Sequence, residues 1–530
     1  MFHLRSNFFS AVLIGLFAAP MVEPALAASV QEIWYRVEVS GQAAGWMVER
    51  QIDADGRVVT ESDLQISFRR AGAALNLGMS SRFIETADHQ PIEMWTRHQL
   101  GAAPQETSYR FEDGAVIMND DKRLDAPSEG WLTPAAADRE LRERMQALFD
   151  QDAPDGGLRS VEISTLDPSL GLQVATMRWV LEQKSTSFEL EGTTYPASRW
   201  RQSLSFAPQI ESVVYLDENG DMLSSATPMM GLEMRFVRTS QEKAQSYGDG
   251  PELLVQSFIY PDRRIEEPRR LRLGAYRVTV DGEAVQLPEV ASQRQEGEVV
   301  VVDLDGALGA RPDENAEASA NDSMGRYLQA STYYDYTAPE IQALHAGARD
   351  ASNGEATEKP AAERAEAIRR LVNRHLEEKN LDSILATADE AAKARAGDCT
   401  EHAVLLTALL RADGIPSRTA TGVLYVDAFA GKQHLFAYHM WSQAFLDGRW
   451  VDLDATLDDE TPFDATHLIF DVPDLDDEGS ALMHMAGAAP LIGRAQIEVL
   501  DFSALQKPVP EGAVLKEGDA ESPAGEGANR

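Results

Sequence analysis

Cysteine is what this sequence most lacks: its 530 residues contain one, Cys399. A lone thiol can close no internal disulfide, and with scattered histidines it does not give the ligand spacing of a structural zinc site, so no metal or other cofactor is expected. Basic residues are also scarce, with 48 Lys and Arg against 86 Asp and Glu and a formal charge of −38. No basic patch offsets that balance, which argues against binding to a phosphate backbone and excludes nucleic acid as a partner. Long apolar runs are missing too. The run from Phe8 to Ala19 falls short of the ~20 residues a membrane helix needs, so no retained transmembrane segment is expected. Flanked by Arg5 and by the small-residue site Ala25-Leu26-Ala27, it reads instead as a secretory signal peptide over residues 1–27, which makes the mature protein periplasmic or secreted.

What is present first is β pattern. From Glu32 to Asp305 short segments such as Trp34 to Val39, Trp46 to Ile52 and Ala115 to Met118 are separated by turn dipeptides, and several alternate apolar with polar residues. Asp55-Gly56, Asp113-Gly114 and Asn219-Gly220 suit tight hairpins, because a positive φ costs glycine little and is tolerated by Asn and Asp. An antiparallel meander over residues 28–305 follows, interrupted by one helix from Pro134 to Phe149 and finished by a strand-rich piece from Leu253 to Val302. Residues 306–323 read as a linker, residues 324–504 as a second, mixed domain, and residues 505–530 as a disordered acidic tail. The fold class is therefore α+β, with a β-rich N-terminal part.

The second domain is centred on Gly397-Asp398-Cys399-Thr400-Glu401-His402. A helix runs from Thr400 to Arg411, with Asp398 as N-cap and Glu401 as its capping-box partner, and Gly414 and Pro416 end it. Cys399 falls in the first turn, where unpaired N–H groups and the helix dipole lower a thiol pKa. Beyond Pro416 three strands follow, the last two joined by Asp447-Gly448. A two-residue hairpin there puts Leu446 opposite Arg449 and, by counting back, His439 diagonal to Asp454 on one face, about 7–8 Å apart between backbones. Asp452 pairs with Gln443 and lies more than ~10 Å from His439 along the sheet, too far to orient its ring. Cys399, His439 and Asp454 thus fit a thiol nucleophile, its general base and the carboxylate that orients the base. His402, three residues past Cys399, could also reach the thiol but has no carboxylate to orient it, which suits a supporting or surface position. His375 lies on the apolar stripe of an amphipathic helix and fits a core or boundary role.

The Gly-Asp-Cys-Thr-Glu-His motif, Leu-Leu-Arg-Ala-Asp-Gly-Ile-Pro-Ser-Arg after it, His439-Met440-Trp441 and Trp450-Val451-Asp452-Leu453-Asp454-Ala455-Thr456 together resemble the transglutaminase-like (papain-related) superfamily of bacterial exported proteins, from about Tyr333 to Phe470. Ala455 departs from the Pro often found there. The resemblance implies a helix bearing Cys399 packed on an antiparallel sheet, with Cys399, His439 and Asp454 as catalytic residues. It also implies acyl transfer from amide bonds of a protein, peptide or cell-envelope substrate, by hydrolysis or by transglutamination. The alternative is a non-catalytic envelope binding or assembly protein that works through its β domain.

Overall fold

The computed structural model of the protein describes residues 29–70, 72–128, 130–150, 159–229, 231–254, 257–306, 324–350, 359–381, 383–473, 475 and 487–501. The expected signal peptide, all but Gly306 of the expected linker and the expected tail lie outside the described residues.

Period-two alternation builds the first half of the chain. In Ser29–Val39, Tyr35, Val37 and Val39 are buried while Arg36 and Glu38 between them are only half-buried, so one face of the strand meets the core. Among the described residues fourteen strands form one antiparallel sheet of two meanders. One runs from Ser29–Val39 to Lys122–Asp125, the other from Leu232–Thr239 back to Ser160–Leu166, and Ser29–Val39 pairs with Leu232–Thr239 where they meet. The helix Pro134–Asp150 connects the two ends of this order, its Met145 packed with Val161, Ile163, Trp179 and Trp200.

The expectation that residues 253–302 finish this sheet is not met. Leu273–Val280, Glu283–Ala284, Gln293–Glu296 and Val299–Asp303 form a second sheet, and Ala495–Val499, from far along the chain, pairs with Leu273–Val280. The unbroken run Val299-Val300-Val301-Val302 explains this, because a strand apolar on both faces needs cover on both. Tyr276, Val300 and Val302 share one core with Val423, Tyr425, Phe436 and Leu468 of a third sheet.

That third sheet has the order Arg449–Leu453, Lys432–Leu446, Ser417–Phe429, His467–Asp471. Asp447 and Gly448 both have positive φ (50° and 81°), and Leu446 pairs with Arg449 and Gln443 with Asp452. The helix Cys399–Ala412 lies on this sheet, with every residue from Thr400 to Arg411 buried, as a helix apolar on all sides must be. Its polar positions are matched rather than exposed: Thr407 Oγ1 donates to Ser442 Oγ at 3.0 Å, which donates to the Ala403 carbonyl at 2.9 Å. Helices Pro339–Asp350, Ala361–His375 and Ala388–Ala394 contribute Ile341, Val372 and Ala391 to the same core.

Candidate active site

Cys399 opens its helix. Asp398 Oδ1 accepts from the Thr400 N–H and hydroxyl, both at 2.8 Å, and Glu401 Oε2 accepts from the Asp398 N–H at 2.9 Å. A Cβ on Gly397 would stand 2.4 Å from Glu401 Cβ, so only glycine lets Glu401 fold back this far. The Arg449–Leu453 strand stops opposite Ser442, which frees the edge of the neighbouring strand beside His439 and Met440, and the Met440 backbone favours the charged form of the Cys399 thiol.

His439 Nε2 is 2.8 Å from Asp454 Oδ2. Asp454 lies just past the end of its strand, where its Oδ1 accepts from the Thr456 N–H at 2.8 Å and from the Thr456 hydroxyl at 2.7 Å. Arg369, from the helix Ala361–His375, donates to the carbonyls of Asp454 and Leu457 at 3.3 and 2.6 Å and fixes the turn from behind. Burial alone would raise the Asp454 carboxyl, but the charge and hydrogen bonds of His439 and His467 hold it well below the usual carboxylate range. Asp452 is engaged elsewhere, accepting from Trp441 Nε1, Gln443 Nε2 and Ser292 Oγ. Trp441 stacks on His439 with ring centroids 5.9 Å apart.

The electrostatics of the thiol differ from the sequence expectation. Burial, with the Asp398 charge adding, pushes the Cys399 thiol well up, while Arg70 and the Met440 backbone pull it back only in part. The helix start is favourable to a thiolate, but it carries two carboxylates of its own. The surface alternative for His402 does not hold either: it is 1% exposed, its Nδ1 2.6 Å from the Asp398 carbonyl, and its Nε2 has no hydrogen-bond partner among the described residues. His375 Nε2 is 2.8 Å from the Ala392 carbonyl, which is a structural link between helices.

Two residues here escaped sequence reasoning. His467 Nδ1 is 2.9 Å from the Asp464 carbonyl and its Nε2 3.4 Å from Asp454 Oδ2, so the Asp454 carboxylate lies between two imidazoles. Its sequence context, Ala465-Thr466-His467-Leu468-Ile469-Phe470, is that of any buried strand. Arg70, from the large sheet, reaches Asp398 with no local signal at all. Two of the scattered histidines, His439 and His467, thus come together in space. Among the described residues the donor atoms of His439, Asp454 and His467 all lie within 4.8 Å of one another, a spacing that could hold a metal ion. Asp454 Oδ2 is already shared by both rings.

Residues 348–455 match the family model of the transglutaminase-like superfamily, and this segment, with Cys399, His439 and Asp454 inside it, is a transglutaminase-like domain. Among solved structures the chain is similar to a β-barrel-like domain of unknown function from Brucella abortus, at 13% identity over 39% of this chain and 95% of that one, with a TM-score of 0.31. It is also similar to a candidate cysteine protease from Cytophaga hutchinsonii, at 16% identity over 45% and 79%, TM-score 0.25. A third is the periplasmic domain of TgpA from Pseudomonas aeruginosa bound to ethylmercury, at 15% identity over 38% and 88%, TM-score 0.23. No curated protein matches the chain. Among the described residues no helix is long and apolar enough to cross a membrane.

Proposed function

We propose that the protein is an exported thiol-dependent acyl-transfer enzyme acting on amide bonds, with Cys399 as nucleophile, His439 as general base and acid, and Asp454 as the carboxylate that orients His439. The observation that carries this reading is the His439–Asp454 hydrogen bond of 2.8 Å, on a strand against which the helix that opens with Cys399 is packed. Asp454 Oδ2 accepts a hydrogen bond from His439 Nε2–H, which keeps the ring's proton on Nε2 and leaves the Nδ1 lone pair free for the thiol proton. As Cys399 Sγ bonds to the amide carbon, its proton passes to His439 Nδ1. The carbonyl oxygen becomes an oxyanion, met by the Cys399 N–H at the helix start. When the C–N bond breaks, His439 returns the proton to the leaving amine, and a thioester to Cys399 remains. Water then gives a peptidase or amidase; a second amine gives a transglutaminase. Hydrolysis is the reading we adopt, on the resemblance to exported bacterial members of the superfamily.

Because its surroundings disfavour the thiolate, Cys399 depends on His439 to lose its proton. Intact-mass measurement of iodoacetamide alkylation at neutral pH tests this. His439→Ala should slow modification of Cys399 by about tenfold or more, and an unchanged rate in a folded variant rejects the base assignment. Profiling envelope proteins and cell-wall fragments with the mature protein, against Cys399→Ala as control, then identifies the substrate.

A further inference from the structure

One ion pair between parts of the chain far apart in sequence ends on Asp398, the residue before the thiol. Arg70 ends the strand Arg57–Arg70 of the large sheet. Its Nη1 is 2.7 Å from Asp398 Oδ2 and 3.0 Å from the Ser383 carbonyl. The two side chains are 17% and 8% exposed, so this is a largely buried ion pair rather than a solvated one.

Its surroundings are built on both sides. The Arg69 N–H donates to the Pro251 carbonyl at 3.0 Å and the Arg69 carbonyl accepts from the Leu253 N–H at 2.8 Å, which pins the strand end before Arg70. A loop joining two strands of the large sheet, Pro91–Gln99 and Gln105–Glu112, docks on the segment that carries Ser383. The Leu100 carbonyl accepts from the Ile384 and Leu385 N–H groups at 2.8 and 3.2 Å, and the Ala103 N–H donates to Glu390 Oε1 at 2.8 Å. The segment so held, 383–386, holds the helix start in turn: Ser383 Oγ donates to Glu401 Oε1 at 2.7 Å, and the Ala386 N–H donates to the same oxygen at 3.2 Å. Asp398, Ser383 and Glu401 form a ring of contacts around the first turn, and Arg70 touches two of the three.

We propose that Arg70 is a positioning residue for the thiol, supplied by the β-rich part of the chain: it neutralises Asp398 next to Cys399 and keeps the site competent to release the thiol proton. This rests on the reading of Cys399 as the nucleophile. Among the described residues the charged and titratable groups facing the site are Asp398, Glu401 and His402 on its own helix, Tyr438 and His439 on the adjoining strand, Asp454 beyond the next strand, and Arg70 from the large sheet, with the Lys379 charge reaching His402. Arg70 is the fixed cation in contact with Asp398. Without it the Asp398 carboxylate, cap of the helix, is an uncompensated buried anion adjacent in sequence to a group that must itself become an anion.

The test uses the whole chain and the pH dependence of Cys399 alkylation. Arg70→Gln should move the midpoint of the profile up by about one pH unit, which is about tenfold slower modification at neutral pH. Arg70→Lys, which keeps the charge, should hold the midpoint close to that of the unmodified sequence. Asp398→Asn in the Arg70→Gln background should bring it back, because the carboxylate that needed the cation is gone while an oxygen for the Thr400 N–H remains. A purely structural role for Arg70 would not produce this reversal. An unchanged midpoint in Arg70→Gln overturns the proposal, as does an Arg70→Lys profile displaced as far as that of Arg70→Gln, or a double variant that stays displaced. If instead His439→Ala alkylates like the unmodified sequence while the Arg70 variants behave as stated, the general-base assignment fails and the Arg70 inference stands.

Discussion

Asp454→Asn is the substitution whose outcome the geometry specifies most closely. Asp454 Oδ1 accepts two hydrogen bonds from Thr456, one of them from a backbone N–H that cannot be turned into an acceptor. An asparagine at 454 must therefore place its carbonyl oxygen on the Thr456 side and its NH2 where Oδ2 stands, toward His439 Nε2. His439 Nε2 then has to accept, and the ring's one proton moves to Nδ1, the nitrogen that should take the thiol proton. Inverting the tautomer in a comparable triad costs about 10⁴-fold in kcat, about 5 kcal/mol at 1.36 kcal/mol per decade. A thiol is more acidic than a serine hydroxyl, so the expected loss here is about 10²- to 10⁴-fold. The assay is the iodoacetamide time course at neutral pH, read by intact mass, with His439→Ala as the floor: the asparagine variant should fall to that floor while its circular dichroism stays unchanged. A folded Asp454→Asn protein alkylated at the original rate would refute the tautomer reasoning.

Gly422 pairs with His439 on one side and with Ile469 on the other, and a Cβ there would lie 1.8 Å from the Leu468 carbonyl oxygen. Gly422→Ala should therefore cost about 1–3 kcal/mol in chemical denaturation and slow Cys399 alkylation by displacing His439, and an unchanged midpoint would show that the strands can part at no cost. Two carboxylates of the site, Asp398 and Asp454, give opposite pH limbs. Burial, with the Glu401 charge adding, raises Asp398 to about 6, so the stabilisation it contributes is complete below its unfolded value of about 3.9 and is lost as pH rises to about 6. Asp454 is held low, so its contribution is complete above about 3.9 and is lost as pH falls below that. Thermal melts between pH 4 and pH 7 should show Asp398→Asn gaining on the unmodified sequence as pH rises, by about 3 kcal/mol at most, and a constant difference would contradict the raised carboxyl.

The helix and the hairpin were legible because each is written in a contiguous stretch. Asp398 and Glu401 carry their capping chemistry in the sequence, and Asp447-Gly448 fixes a register from which Asp452 can be set aside by counting. Asp454 was reachable by the same count although it leaves the ladder, since a residue one step past a strand end still lies near its extrapolated position. Local rules carry no information about long-range pairing, and that is where the reading failed. Nothing near Leu273–Val280 says that its partner is Ala495–Val499, and nothing near Arg70 or His467 marks them as neighbours of Cys399 and Asp454. The direction of the thiol shift was missed for a related reason: the helix-start effect is a sequence-local expectation, and the burial that opposes it is set by the whole fold.

The Cys399 site therefore sets its scaffold against the chemistry proposed for it. Asp398 and Glu401 are needed to satisfy the N–H groups of a helix that is buried along its whole length, and a neutral cap would bind those groups less well. The same two carboxylates stand against any negative charge on Cys399. Weakening the cap would relieve the thiol at the expense of the helix start. A cation brought from outside the helix relieves it without removing the cap, and the strand ends of the large sheet, with Arg70 on Asp398 and the loop residues Leu100 and Ala103 on the segment before it, are placed to bring one. The β-rich half of the chain then has a reason to be attached to this site that is independent of what it binds: separated from it, the transglutaminase-like domain would keep Cys399, His439 and Asp454 but lose the charge that balances Asp398.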